Sequence, residues 1–273
     1  MSPSASEWLS DNPKSSFLLC GNFGEGKTSV AITFPKIFYI GFRQGGLAVL
    51  KKPGNERWTK NLVHYEELCP KSDTELKDMF APDGKRGLIY KHIELAKSMA
   101  EKGQVETLVL DDTSDWSNNM VKYIWTFEHK VVDGKPDTQS MFGTLGRYQS
   151  NFIDQDFLTF RRYGNVIMTT HLMRESEQTI EGTKSRAGAV DKMSNLFPDI
   201  VGSLRREMQR KFENVLYLEA KLQADGKTKK FIAYTEKQVA ISTVIQCKNV
   251  LGLPPIIENF TYESLLNKAA KSA

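Results

Sequence analysis

Gly21-Asn22-Phe23-Gly24-Glu25-Gly26-Lys27-Thr28 fits the pattern G-x-x-x-x-G-K-[ST] at every fixed position. The run before it, Phe17-Leu18-Leu19-Cys20, has the character of a short buried strand, and Ser29-Val30-Ala31-Ile32 after it can open a helix. A strand, a glycine-rich loop and a helix in this order turn successive backbone N–H groups toward a polyphosphate. Gly21, Gly24 and Gly26 allow the backbone this requires. Lys27 is placed to bridge the β- and γ-phosphates, and the Thr28 hydroxyl to ligate Mg²⁺. Asn22, Phe23, Glu25 and Ser29 complete the loop around the phosphates. The pattern predicts binding of a nucleoside triphosphate, taken here as ATP with Mg²⁺.

The chain has 273 residues, enough for a sizeable core, and its hydrophobic and charged fractions are ordinary for a globular protein. It reads as a single domain over 1–273, with 1–14 a flexible tail and 254–273 a C-terminal extension. The net charge of +4 does not by itself announce a nucleic-acid binder. Arg205 to Lys248, however, carries ten basic side chains against five acidic ones. That stretch is either a solvated basic face or a polyanion contact. Cys20, Cys69 and Cys247 are isolated and odd in number, which argues for a reducing cytosol and against disulfides or a zinc site. The four histidines show no metal-ligand spacing along the chain. Met1 to Ser16 lacks the apolar stretch of a signal peptide, and no apolar run approaches a membrane span. A cytoplasmic protein is expected.

Strand and helix signals alternate, which predicts an α/β fold: a mostly parallel sheet flanked by helices. Lys36 to Ile40, Asn61 to Tyr65, Thr107 to Leu110 and Asn165 to Thr170 read as strands. Arg86 to Lys102 and Arg147 to Arg162 read as helices, as does a segment after Asp112 that runs through Trp116 toward Trp125. Leu172 to Asn195 is polar and without periodicity, and is expected to be a functional loop. Asn214 to Leu222 and Lys230 to Thr235 flank Asp225-Gly226, the signature of a C-terminal β-hairpin. A short helix is expected at Tyr262 to Lys271.

A phosphate-binding loop needs a carboxylate to hold Mg²⁺ and a polar group to activate the attacking nucleophile. Thr107-Leu108-Val109-Leu110-Asp111 is an apolar strand ending in Asp, which assigns Asp111 to the metal beside Thr28. Asp112 is either a second catalytic carboxylate or the cap of the next helix. His171, with Thr170, stands where an apolar strand stops. It is either a sensor of the γ-phosphate or an ordinary strand-end histidine.

This order of parts resembles the compact RecA-like single-strand annealing and recombination ATPases of phages, which carry an AAA-type nucleotide-binding domain. The likeness runs through the phosphate loop, Gly45-Gly46-Leu47 after the second strand, the Asp111 strand and Val166-Ile167-Met168-Thr169-Thr170-His171. It continues in Gln246 to Asn249 and Leu253 to Asn259. The resemblance implies a RecA-like P-loop core whose sensor strand lies between the phosphate-loop and Asp111 strands. It also implies binding of single-stranded DNA, assembly into homo-oligomeric rings or filaments, and cooperation with a single-stranded-DNA-binding protein. Carried over, Arg174, Lys184, Arg186 and Lys192 would meet DNA phosphates. Lys229 and Lys230 would reach a neighbouring subunit's nucleotide. The sequence departs from the family at Phe42-Arg43-Gln44-Gly45, where members place an acidic base and Gln44 stands instead. A glutamine can orient water but cannot take its proton. Slow hydrolysis is therefore expected, or catalysis that relies on Asp112. Two other classes remain: a nucleotide-regulated adaptor with little turnover, and a small-molecule or nucleoside kinase.

Overall fold

Phe17-Leu18-Leu19-Cys20 is apolar at every position because the strand it forms is covered on both faces. The computed structural model describes residues 14–51, 54–81, 86–128, 131–132, 135–174, 194–223, 229–236, 238–240 and 243–265. Its first strands are β1 (Ser16–Cys20), β2 (Ile37–Gly41), β3 (Leu62–Glu67) and β4 (Thr107–Asp111), followed by the two-residue strands β5 (Val131–Val132) and β6 (Lys135–Pro136). Next come β7 (Asn165–Thr170), β8 (Leu172–Arg174), β9 (Ser194–Pro198), β10 (Asn214–Leu222) and β11 (Lys229–Tyr234). The last are β12 (Gln238–Ala240), β13 (Thr243–Ile245), β14 (Lys248–Asn249) and β15 (Ile256–Glu258).

The main sheet runs β15-β11-β10-β1-β7-β4-β2-β3, with β14 also on β10. The pairs from β10 through β3 are all parallel, and β11, β14 and β15 add antiparallel partners at the other side. This is the mostly parallel α/β sheet of a P-loop NTPase core, and β7 lies between β1 and β4. Alternate side chains of each central strand feed two cores, as the two-residue period of a strand demands. Leu18, Phe38, Leu108, Val166 and Met168 face one side, where the helices Leu88–Glu101, Thr113–Tyr123 and Thr138–Asn151 pack. Phe17, Leu19, Ile37, Val109 and Ile167 face the other, against Val30, Phe34, Phe260 and Leu265.

Several boundaries differ from the sequence reading. The expected Arg147–Arg162 helix is α-helical over Thr138–Asn151 and then loosens into a π turn (Phe152–Phe157) and a 3₁₀ turn (Leu158–Arg162). Leu172 to Asn195 is not loop throughout: β8 and β9 pair antiparallel, Leu172 opposite Pro198 and Arg174 opposite Leu196. β8, with three residues, is too short to show a period, and only Ser194 and Asn195 of β9 fall in that stretch. Together with β12 and β13 they form a second, four-stranded sheet. The expected hairpin is present as β10–β11, with Leu222 opposite Lys229. The Asp225-Gly226 turn lies outside the described residues, and the C-terminal helix is described only over 262–265. Among the described residues, no helix is long and apolar enough to cross a membrane.

Candidate nucleotide site

Parallel strands bring β1, β4 and β7 to a common carboxyl edge, the place where α/β sheets take ligands. Cys20 is in register with Thr170 across β1–β7, and Leu110 with Met168 across β4–β7. The loop after β1, the end of β4 and the end of β7 therefore meet.

The helix after the loop is only Lys27–Ala31, because Pro35 follows four residues later and a residue before proline resists the helical conformation. Two glycines are fixed by geometry. Gly26 caps this turn with φ 88°, and a Cβ there would stand 2.8 Å from Cδ1 of Phe231 on β11. A Cβ on Gly21 would stand 2.8 Å from the Leu218 carbonyl oxygen of β10. The antiparallel hairpin is thus the outer wall of the loop.

Lys27 is buried, and its ammonium donates to the Gly21 and Asn22 carbonyls at 2.8 and 3.0 Å. Burial holds its pKa below the usual lysine value, partly offset by Asp112 and Asp111. Asn22 donates its backbone N–H to the Glu25 carboxylate, so this side chain occupies a donor that a phosphate-binding loop presents to anions. Phe23 is 81% exposed at the loop tip, with the Arg43 guanidinium 5.5 Å from its ring centroid. Ser29 and Thr28 are half-buried at the start of the helix.

Asp111 gathers three hydroxyls. Its Oδ2 accepts from Thr28 Oγ1 at 2.6 Å and from the buried Tyr39, and its Oδ1 accepts from Thr169. Burial, then the neighbouring Asp111, pushes the Tyr39 phenol well above its usual value, so it stays a donor. Thr28 Oγ1 and Asp111 Oδ2 form an all-oxygen pair of the kind a hard cation takes. The donor set fits Mg²⁺, with Thr28 and Asp111 as the residues that would hold it. Bound there, the ion would neutralise phosphate charge.

His171 joins the two halves of the site. Its Nδ1 lies 3.2 Å from Lys27 Nζ and its Nε2 2.7 Å from Asp112 Oδ2. An ammonium only donates, so Nδ1 accepts and Nε2 carries the proton given to Asp112. The other Asp112 oxygen accepts the Ser114 N–H at 2.7 Å and caps the Thr113–Tyr123 helix. Burial raises the Asp112 carboxyl, but His171, the Ser114 N–H and Lys27 outweigh it and the net shift is downward. The His171 backbone is held as well: its N–H donates to Ser114 Oγ at 3.2 Å and its carbonyl accepts from Asp199 N at 2.8 Å.

Gln44 is exposed on the loop after β2 and lines a cavity of about 540 Å³ with Arg43, Cys69, Asp115, Asn118 and Lys122. Asp115 was not legible as a site residue. Burial, and then the negative charge of Asp112, raise its pKa. Tyr39, Thr169 and Ser114 were missed too, since each reads as an ordinary strand or helix residue.

The remaining expected residues fall elsewhere. Arg174 ends β8, while Lys184, Arg186 and Lys192 lie outside the described residues. Lys229 is exposed at the start of β11, and Lys230 pairs with Glu258 at 2.6 Å within the chain.

A model of the AAA domain family matches residues 14–243, a span that holds every residue of this site. The chain belongs to the AAA domain family. It is thus an AAA-type P-loop NTPase domain, whose family binds and hydrolyses ATP, usually with Mg²⁺. Comparison with curated proteins gives no match.

Proposed function

We propose that this AAA domain is a RecA-like ATPase of the phage recombination type, in which ATP controls a grip on single-stranded DNA. The observation that carries this reading is the chain Lys27–His171–Asp112. Lys27 donates to two loop carbonyls and to His171. A triphosphate offers Lys27 stronger, charged acceptors. His171 then loses its partner on one side while Asp112 holds it on the other. Its backbone leads directly into β8, and its carbonyl is bonded to the residue after β9. Those two strands flank residues 175–193, which include Lys184, Arg186 and Lys192. A change at His171 is therefore passed to the base of the segment expected to meet DNA phosphates.

Lys27 binds and orients the phosphates, Thr28 and Asp111 hold the metal, and Tyr39 and Thr169 fix Asp111. With Gln44 unable to accept a proton and both Asp112 oxygens engaged, turnover is slow without DNA. The same two facts favour a second reading, an ATP-dependent switch with almost no hydrolysis. Steady-state ATP hydrolysis with and without single-stranded DNA, with Lys27→Ala as control, tests the proposal. Stimulation that vanishes in the variant supports it. Intact ATP binding with no response to DNA overturns it.

A further inference from the structure

Away from the nucleotide site, His64 and Glu66 on β3 face His92 on the Leu88–Glu101 helix. The strand's two-residue period puts His64 and Glu66 on one face. His92 lies on the helix face that buries Ile89, Ile93 and Ala96, an unusual position for an imidazole. One ligand atom from each of the three residues lies within 4.8 Å of the others. The 27 residues between the histidines hid this proximity from the sequence.

The distances separate two explanations. His64 Nε2 is 3.6 Å from Glu66 Oε2, and His92 Nε2 is 3.8 Å from Glu66 Oε1. Both are too long for hydrogen bonds. Two ligands of one tetrahedral zinc, each about 2.0–2.2 Å from the metal, stand roughly 3.3 Å apart. Each histidine–Glu66 pair is thus within a few tenths of an ångström of that separation, the two histidines facing different oxygens of the one carboxylate. His64 Nε2, the ring nitrogen that faces Glu66, is shielded from solvent and has no hydrogen-bond partner, a cost that burial alone does not explain. The His64 ring is fixed by stacking on Phe38, centroids 4.2 Å apart. Glu66 is about one-third exposed, which leaves an entry path.

We infer that His64, Glu66 and His92 form a binding site for a divalent transition metal of the zinc class, tying β3 to the Leu88–Glu101 helix. Two imidazoles and one carboxylate suit zinc, cobalt or nickel and disfavour magnesium, which prefers an all-oxygen shell. Three protein ligands leave one position for water. Because β3 is the end strand of the main sheet, the ion would join an edge to a helix that packs on the core.

The test uses the full chain without a histidine tag, stripped with chelator and titrated with Zn²⁺ in excess Mg²⁺. One Zn²⁺ per chain is expected, together with a higher melting temperature. His64→Ala, Glu66→Gln and His92→Ala should each weaken binding at least about tenfold and abolish the melting shift. His171→Ala, at the nucleotide site, should leave both unchanged. Co²⁺ in the wild-type chain gives a readout independent of any variant's folding: visible absorption of a four- or five-coordinate ion is expected. Zinc binding unchanged in the three variants, no stoichiometric binding, or a Co²⁺ spectrum like that of the free aqueous ion overturns the assignment.

Discussion

Gly26→Ala tests whether β11 is the wall of the phosphate loop. The substitution meets two obstacles at once. At φ 88° an alanine sits in the left-handed region, at a cost of about 1–2 kcal/mol. Its Cβ would also stand 2.8 and 3.1 Å from Cδ1 and Cε1 of Phe231, and forcing a methyl into occupied space costs about 1–3 kcal/mol. The variant should therefore lose about 2–5 kcal/mol of stability, or else move the loop and lose ATP affinity. Only the second obstacle depends on Phe231. In a Phe231→Ala background, Gly26→Ala should cost about 1–2 kcal/mol, the backbone part alone. Urea unfolding of the four proteins gives the cycle directly, with a favourable coupling of about 1–3 kcal/mol expected. Equal costs in both backgrounds would refute the contact, and a cost in the wild-type background below about 1 kcal/mol would refute both parts of the reasoning.

Gln44→Glu places a carboxylate where the family's base is expected. General bases contribute about 10²–10⁴-fold, so DNA-free hydrolysis should rise at least about tenfold, and no change removes Gln44 from the mechanism. Asp112 gives a signed pH dependence. Because its folded pKa lies below its unfolded value, near 3.9, its contribution is present above that value and lost as the pH falls through the folded pKa. Near neutral pH, Asp112→Asn should cost about 1.5–3 kcal/mol, the worth of a hydrogen bond to a charged group. The gap from wild type should close as urea midpoints are followed down through pH 4, and a gap independent of pH would contradict the role given to the Asp112 charge.

The phosphate loop was legible because its geometry admits so few residues: Gly26 must be glycine for both its φ and its neighbour. The Asp111 and His171 strands were legible because both faces are buried, which leaves unbroken apolar runs ending in a polar residue. What surrounds them was not. Tyr39 on β2 and Thr169 on β7 also stand in fully buried strands, and nothing in a strand pattern says which hydroxyl turns to a carboxylate. The Asp73–Phe80 helix carried its signal, Ser72 and Glu75 in capping-box spacing with Ser72 Oγ accepting from Glu75 N, but it is too short to build a helical period. The Thr138–Asn151 helix begins nine residues before the sequence signal, since Gly143 and Gly146 dilute its pattern. Glu25 on the Asn22 N–H is set by the local turn of the loop, and His64 beside His92 by tertiary folding.

The proposed role of His171 is to couple the nucleotide to a grip on single-stranded DNA. The most direct measurement is the affinity for a labelled oligonucleotide, with and without a non-hydrolysable ATP analogue and Mg²⁺, in wild type and His171→Ala. The analogue should change DNA affinity in the wild type, and His171→Ala should still bind the analogue but lose that change. DNA affinity that is the same with and without nucleotide in the wild type would contradict it.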